Sequence, residues 1–331
     1  MTKNRFILLI AVFVMILIIL VSFIVLKKTP SGLEGIAGLD KAKLIYKRAE
    51  RFRKADEHEK ALNALLEVVN NYPDSKYAEK SLKLLASIYM RRGNYVKARY
   101  YYKRLLMDFP DLKDVSSIRS VLEEINMKEM FSPVITEDSI EYEIQPGDNL
   151  YVISKRFNTT VGFLKKLNRL QNDLIRPGQK LKIVVARFSI LIDKARNKLV
   201  LKKDGEPLKT YTVSTGKDNS TPVGVFKIEE KMVRPVWYKV DAVISPDSEE
   251  YELGERWMGL SVRGYGIHGT VDESTIGNQI TQGCVRMRNS DVIELYDIVP
   301  AGTEVEVVDA LEPAAGPGKK GTVQEKADKA G

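Results

Sequence analysis

Phe6 to Leu26 is a run of 21 residues, apolar but for Ser22. At ~1.5 Å per helical residue, such a run matches the ~30 Å hydrocarbon core of a bilayer. Lys3 and Arg5 precede it, and Lys27 and Lys28 follow it. A cleaved leader has a shorter apolar core and a small-residue cleavage site directly after it. Residues 1–28 therefore read as an uncleaved, single-pass transmembrane anchor. The flanking charges are nearly balanced, so they do not fix its orientation. Everything after it must fold in water beside a membrane.

A Gly/Pro-containing spacer, Thr29 to Leu39, leads into a helical region over 40–130. ALNALLEVVNNYPD, starting at Ala61, aligns with ARYYYKRLLMDFPD, starting at Ala98, at an offset of 37 residues. Ala61 pairs with Ala98, Val68 with Leu105, Tyr72 with Phe109 and Pro73-Asp74 with Pro110-Asp111. Each copy is followed by a second apolar-periodic segment, and Gly93-Asn94 supplies a stop between units. Helix, Pro-Asp break, helix, repeated, is a solenoid pattern. It resembles tetratricopeptide repeats, which implies either a spacer or a groove for an envelope protein. His58 sits among Asp56, Glu57, Glu59 and Lys60 and reads as a solvated helix position.

The 331 residues carry a formal net charge of +8. A basic balance suits anionic partners such as lipid or cell-wall polymer. The charges are scattered, with no compact Lys/Arg tract to track a phosphate backbone, which argues against nucleic acid. One cysteine and two histidines exclude an intramolecular disulfide and multi-cysteine metal sites, and no cofactor is expected.

Over 141–185 the pattern becomes strand, Pro-Gly-Asp turn, helix, helix, turn, strand. Tyr142, Gly147-Asp148, Leu150, Ile153, Phe157, Leu164, Asn168, Ile175, Pro177-Gly178-Gln179 and Leu181 carry a resemblance to the βααβ LysM module. That resemblance implies contact with peptidoglycan glycan strands. It points to the two loops holding Gly147, Asp148, Asn149 and Leu150, and Asp173, Leu174 and Ile175. Leu150, Ile153, Phe157 and Leu164 also read as core.

Residues 186–310 show short alternating segments punctuated by Gly, Pro and Asp, with Asp204-Gly205 as a hairpin turn. This reads as a mainly-β domain. The Gly/Ala/Lys-rich tail, 311–331, lacks periodicity and reads as disordered.

Within the β-rich domain, GIHGTVDESTIGNQITQGCVRMR from Gly266 holds the only cysteine, Cys284, and the only histidine outside the helical region, His268. An imidazole beside a thiol can take its proton and later return it to a leaving amine. On that reading the thiolate forms below the ordinary thiol pKa. Gly283 lets substrate approach the backbone, and its N–H and that of Cys284 could face a developing oxyanion. Arg286, two residues on, shares a strand face with Cys284. Gly264 to Gly269 also spells G-x-G-x-x-G, but the polar, glycine-broken sequence after it cannot open the helix that a dinucleotide site needs.

His268-Gly269-Thr270, then Thr281-Gln282-Gly283-Cys284-Val285-Arg286-Met287, together with Thr221-Pro222-Val223-Gly224-Val225-Phe226 upstream, resemble the L,D-transpeptidase (YkuD-type) catalytic domain. Many members have a second histidine where this chain has Gln282. The resemblance implies peptidoglycan 3–3 cross-linking through a Cys284 thioester, with His268 as base and then acid. It further implies that the Gly269 carbonyl orients the ring, and that Arg286 and Thr281 contact the stem peptide. It places the catalytic part outside the cytoplasm. L,D-carboxypeptidase activity, attachment of a protein to the wall and a non-catalytic wall-binding scaffold remain alternatives.

Overall fold

The computed structural model describes residues 32–238 and 242–310. The anchor expected over 1–28 and the tail over 311–331 lie outside the described residues. Among the described residues, no helix is long and apolar enough to cross a membrane. Two compact units meet in sequence between Ile125 and Asn126.

The first unit is a run of helices: α1 (Gly32–Lys54), α2 (His58–Asn71), α3 (Lys76–Arg91), α4 (Tyr95–Asp108) and α5 (Val115–Met130), whose last turn passes into the second unit. α1 begins inside the segment expected to be a spacer, because isolated glycines weaken a helix by only about 1 kcal/mol each. The aligned residues of the repeat are core: Ala61 and Ala98, and Val68 and Leu105, are all essentially buried. Ser75 starts α3 by accepting the Ala78 N–H on Oγ at 3.1 Å, and Asn94 starts α4 by accepting the Lys97 N–H at 3.1 Å. These caps follow the breaks that the sequence marks.

The second unit opens with a βααβ module: β1 (Ser139–Glu143), α6 (Leu150–Arg156), α7 (Val161–Asn168) and β2 (Lys180–Val184). β1 and β2 pair antiparallel, with Tyr142 opposite Leu181. Ile144, Leu150, Ile153, Leu164, Leu181 and Ile183 form its core. Asn149 and Thr160 cap the two helices through their side-chain oxygens.

The rest of the unit is built on one eight-stranded sheet. Its strands are β3 (Phe188–Asp193), β4 (Lys198–Lys203), β5 (Glu206–Thr212), β7 (Gly224–Val233), β10 (Arg256–Leu260), β11 (Gly266–His268), β13 (Val285–Arg286) and β14 (Glu304–Val308). The order across the sheet is β13-β11-β10-β7-β14-β3-β4-β5. Short pairs flank it: β6 (Thr215–Gly216) with β12 (Gln279–Thr281), and β8 (Trp237–Tyr238) with β9 (Val243–Ile244). Asp204-Gly205 closes β4 onto β5, both residues at positive φ, as an Asp-Gly hairpin turn requires. Helix α8 (Asn289–Ile298) sends Val292, Leu295 and Ile298 into the core beneath the sheet.

The βααβ module is fused to this sheet domain. Phe163 of α7 packs edge-on against Phe188 of β3, ring centroids 5.7 Å apart, and both belong to the main core. Lys166 pairs with Asp297 at 2.7 Å, and Thr160 Oγ donates to the Asp297 carbonyl. On the other side, the enclosed Lys182 ammonium donates to the carbonyls of Met130, Ser132 and Val134. That contact fixes the end of α5 to β2.

Candidate active site

β11 and β13 run parallel at the sheet edge, with Ile267 opposite Val285 and His268 opposite Arg286. This register sets Gly266 beside Cys284. Alternate residues of a strand share a face, so His268, Cys284 and Arg286 project from the same side. All three line one cleft of about 520 Å³, with Trp237, Glu252 and Tyr265 on its walls. The sequence placed Cys284 and His268 16 residues apart; the parallel pairing of two short strands brings them together.

His268 is buried, and its Nδ1 lies 2.7 Å from the Gly269 carbonyl oxygen. A carbonyl only accepts, so in the neutral ring Nδ1 carries the proton and Nε2 keeps the lone pair that a base needs. The Trp257 ring stacks on the imidazole at 5.8 Å. Burial drives the imidazole pKa down to about 4; the carbonyls of Gly269 and Leu253 oppose the shift without reversing it. The Cys284 sulfur is 3.7 Å from the Gly264 carbonyl. Burial pushes its thiol up, opposed by the Gly266 backbone and the Arg286 charge. The resting pair is therefore neutral thiol and neutral imidazole. The expectation of a thiolate forming below the ordinary range is corrected, because desolvation of both groups outweighs any attraction between their charged forms.

Two other expectations also change. The Gly283 N–H donates to Thr281 Oγ at 3.2 Å, so it does not face the cleft as an oxyanion donor. Thr281 in turn donates to the Cys284 carbonyl at 2.6 Å. Its hydroxyl is used twice inside the turn, which ties it to the backbone on both sides of Gly283. Gly283 is needed there: its φ is +123°, and a Cβ would come within 2.5 Å of the Tyr265 ring.

Arg286 is held by Glu252, Nη2 to Oε2 at 3.1 Å, and its backbone brackets Ser214 with N–H···O distances of 2.9 and 2.8 Å. Sequence reasoning missed Glu252, which lies 34 residues away in a loop without a motif. It also missed Asn289 at the start of α8. The Asn289 Oδ1 accepts the N–H groups of Glu255 and Thr270, and its Nδ2 donates to the Thr270 carbonyl. Gly269 passes directly under it, where a Cβ would meet Oδ1 at 2.2 Å.

In the βααβ module the loop residues divide. Leu150 is buried. Asn149 is occupied as a helix cap, accepting the Val152 N–H at 2.9 Å. The Asp148 carboxylate accepts from the Tyr142 hydroxyl at 2.5 Å, the Gln145 N–H at 2.9 Å and Arg156 at 3.2 Å. These three side chains brace the module from inside: Leu150 in its core, Asn149 Oδ1 as a cap and Asp148 in a three-donor network. Gly147, at φ +88°, shapes the first loop. In the second loop Asp173 pairs with Lys165 at 2.7 Å, Ile175 packs against the module core, and Leu174 is 83% exposed.

Residues 187–307 match the L,D-transpeptidase catalytic domain. YqjB of Bacillus subtilis, assigned by name to the L,D-transpeptidases, is 36% identical over 126 residues, covering 36% of this chain and 70% of that protein. YkuD of the same organism, also so named, is 30% identical over 175 residues, covering 51% of this chain and 98% of that one. The chain belongs to the L,D-transpeptidase family. Residues 142–184 of this transpeptidase match the LysM domain, and residues 44–75 match a tetratricopeptide repeat. The repeat match takes in much of α1 and all of α2, so the helix pair begins one helix earlier than the 61/98 alignment suggests. The NMR structure of the catalytic domain from the E. faecium L,D-transpeptidase is 25% identical, covering 37% of this chain and 96% of that one at a TM-score of 0.31. By its family matches, the chain is an L,D-transpeptidase-type enzyme with a LysM module and helical repeats.

Proposed function

We propose that Cys284 and His268 carry out the acyl transfer that forms 3–3 cross-links in peptidoglycan. The observation that supports this reading most directly is their placement on one strand face in one cleft, with His268 Nδ1 held by Gly269. His268 Nε2 takes the thiol proton as Sγ attacks the carbonyl carbon of the third residue of a stem tetrapeptide. The C–N bond to the terminal D-amino acid then breaks, and His268 returns the proton to the leaving amine. An amine of a second stem attacks the thioester, loses its proton to His268, and expels Sγ, which recovers that proton. A neutral starting pair suits this sequence, because the proton moves only as charge develops on the carbonyl. With the Gly283 N–H engaged by Thr281, the Cys284 N–H is the oxyanion donor from this turn. Arg286 holds a carboxylate of the donor peptide, and Thr281 positions Cys284.

The LysM module holds a glycan strand through the loop carrying Leu174. Residues 1–28 anchor the enzyme in the cell membrane, with everything after Lys28 outside, where peptidoglycan lies. The helical repeats bind an envelope protein. Incubation with purified muropeptides, followed by mass analysis, tests the chemistry. Cross-linked dimers with loss of the terminal D-amino acid are expected from wild type and absent from Cys284→Ala. Shortened monomers alone would make the enzyme a carboxypeptidase, and unchanged substrate would leave a scaffold. A reporter fused after Gly331 that is active only in the cytoplasm would overturn the topology.

A further inference from the structure

Arg286 has its charge met on one side only. Nη2 contacts Glu252 at 3.1 Å, and Nη1 reaches Thr275 Oγ at a long 3.4 Å. Nε is buried and, among the described residues, has no hydrogen-bond partner. The Arg286 side chain is 14% exposed, whereas that of Glu252 is 52% exposed. A guanidinium so enclosed is costly to leave without a counter-charge. Glu252 supplies that charge by a single contact, from a loop packed separately around Ile244, Tyr251 and Leu253. Arg and carboxylate commonly meet through two parallel bonds. Here the geometry leaves the second donor unfilled, and the partner stays wet and replaceable. Both residues line the cleft that holds Cys284.

We propose that Glu252 is an internal stand-in for the substrate carboxylate. It neutralises Arg286 in the empty cleft and gives way when a carboxylate-bearing peptide enters. This rests on the reading of Arg286 given above. The exchange of one carboxylate for another on Arg286 is then a specificity step. An anionic peptide gains the guanidinium, and a peptide amidated at that position gains nothing from it. The wild-type pair weakens anion capture by the amount needed to displace Glu252.

Cys284 is the only cysteine, so alkylation reports on this cleft alone. Iodoacetate and iodoacetamide form the same S–C bond with loss of iodide and differ in one negative charge. Their second-order rates are compared at one pH on full-length wild type, Glu252→Gln and Glu255→Gln. Glu255→Gln removes the same charge three residues along the loop, from a carboxylate that pairs with Arg256 at 3.7 Å. The iodoacetate-to-iodoacetamide ratio should rise roughly threefold or more in Glu252→Gln, the scale of one partly exposed ion pair, and stay near wild type in Glu255→Gln. Glu252→Asp, which keeps the charge on a shorter arm, should fall between. An equal rise for both reagents in Glu252→Gln would mean that the loop has merely opened, and an equal ratio change in Glu255→Gln would mean bulk charge; either overturns the proposal, as does an unchanged ratio. Alkylation needs no turnover, so this result stands apart from the muropeptide assay that tests the transfer reaction.

Discussion

Asn289 grips Thr270 from both sides: its Oδ1 accepts the Thr270 N–H at 3.3 Å, and its Nδ2 donates to the Thr270 carbonyl at 2.8 Å. The same oxygen takes the Glu255 N–H at 3.0 Å. Gly269, whose carbonyl faces His268, is the residue just before this clamp. Asn289→Ala orphans three half-buried backbone groups, each worth about 1–3 kcal/mol when left unsatisfied. The melting temperature should fall by several degrees, and cross-linking should fall further as Gly269 loses its place. Asn289→Asp keeps the shape but turns the donor into an acceptor facing the Thr270 carbonyl, so it should not rescue. Thermal melts and product assays on both variants check this.

The neutral pair sets the pH response. Cys284 is raised by burial, so its alkylation rate should climb through a midpoint above the ~8.5 of a free thiol. His268→Ala removes a group that is already uncharged at neutral pH, so that midpoint should move little while transfer is lost. Alkylation rates against pH on both proteins decide the matter.

Stability carries the opposite limb. The folded His268 pKa is depressed to about 4, below its ordinary unfolded value. The unfolded chain therefore takes up this proton first as pH falls. Stability is complete above ~6.5 and is lost between there and about 4, by on the order of 3 kcal/mol. Denaturant midpoints measured across that window should decline in wild type by more than in His268→Gln.

Phe163→Ala should show that the LysM module and the transpeptidase domain melt together. The ring is fully buried in the core shared with Phe188, and its loss should cost about 3–5 kcal/mol. Calorimetry should show one transition for residues 126–310, shifted as a whole.

Leu174→Asp should weaken sedimentation with insoluble peptidoglycan while leaving the melting temperature unchanged, since the side chain is 83% exposed. Leu150→Ala, in the core, should do the reverse and destabilise the module.

Local chemistry was legible in the sequence. The Asp-Gly turn, the helix breaks at Pro73-Asp74 and Gly93-Asn94, and the His-Gly and Gly-Cys pairs each depend on residues that are neighbours along the chain, or on a motif already distinctive. The transpeptidase and LysM families followed from those motifs. What stayed hidden depends on how distant segments meet. Nothing around Glu252 announces that it will sit on Arg286, and Asn289 looks like any first residue of a helix. Thr281 and Gly283 read as substrate contacts because a turn that folds back on itself cannot be told from an open one by composition. The direction of the thiol shift was misread for the same reason: it comes from burial, and the packing that encloses Cys284 is tertiary.

The shared core around Phe163 gives the enzyme a gauge. A binding module on a flexible arm would let the catalytic centre roam over any stem within reach. Here α7 and β3 are bolted together, so a glycan strand seated on LysM meets Cys284 at one spacing and from one direction. Under the proposed function, the interval between cross-links would then follow the fixed separation of LysM and Cys284.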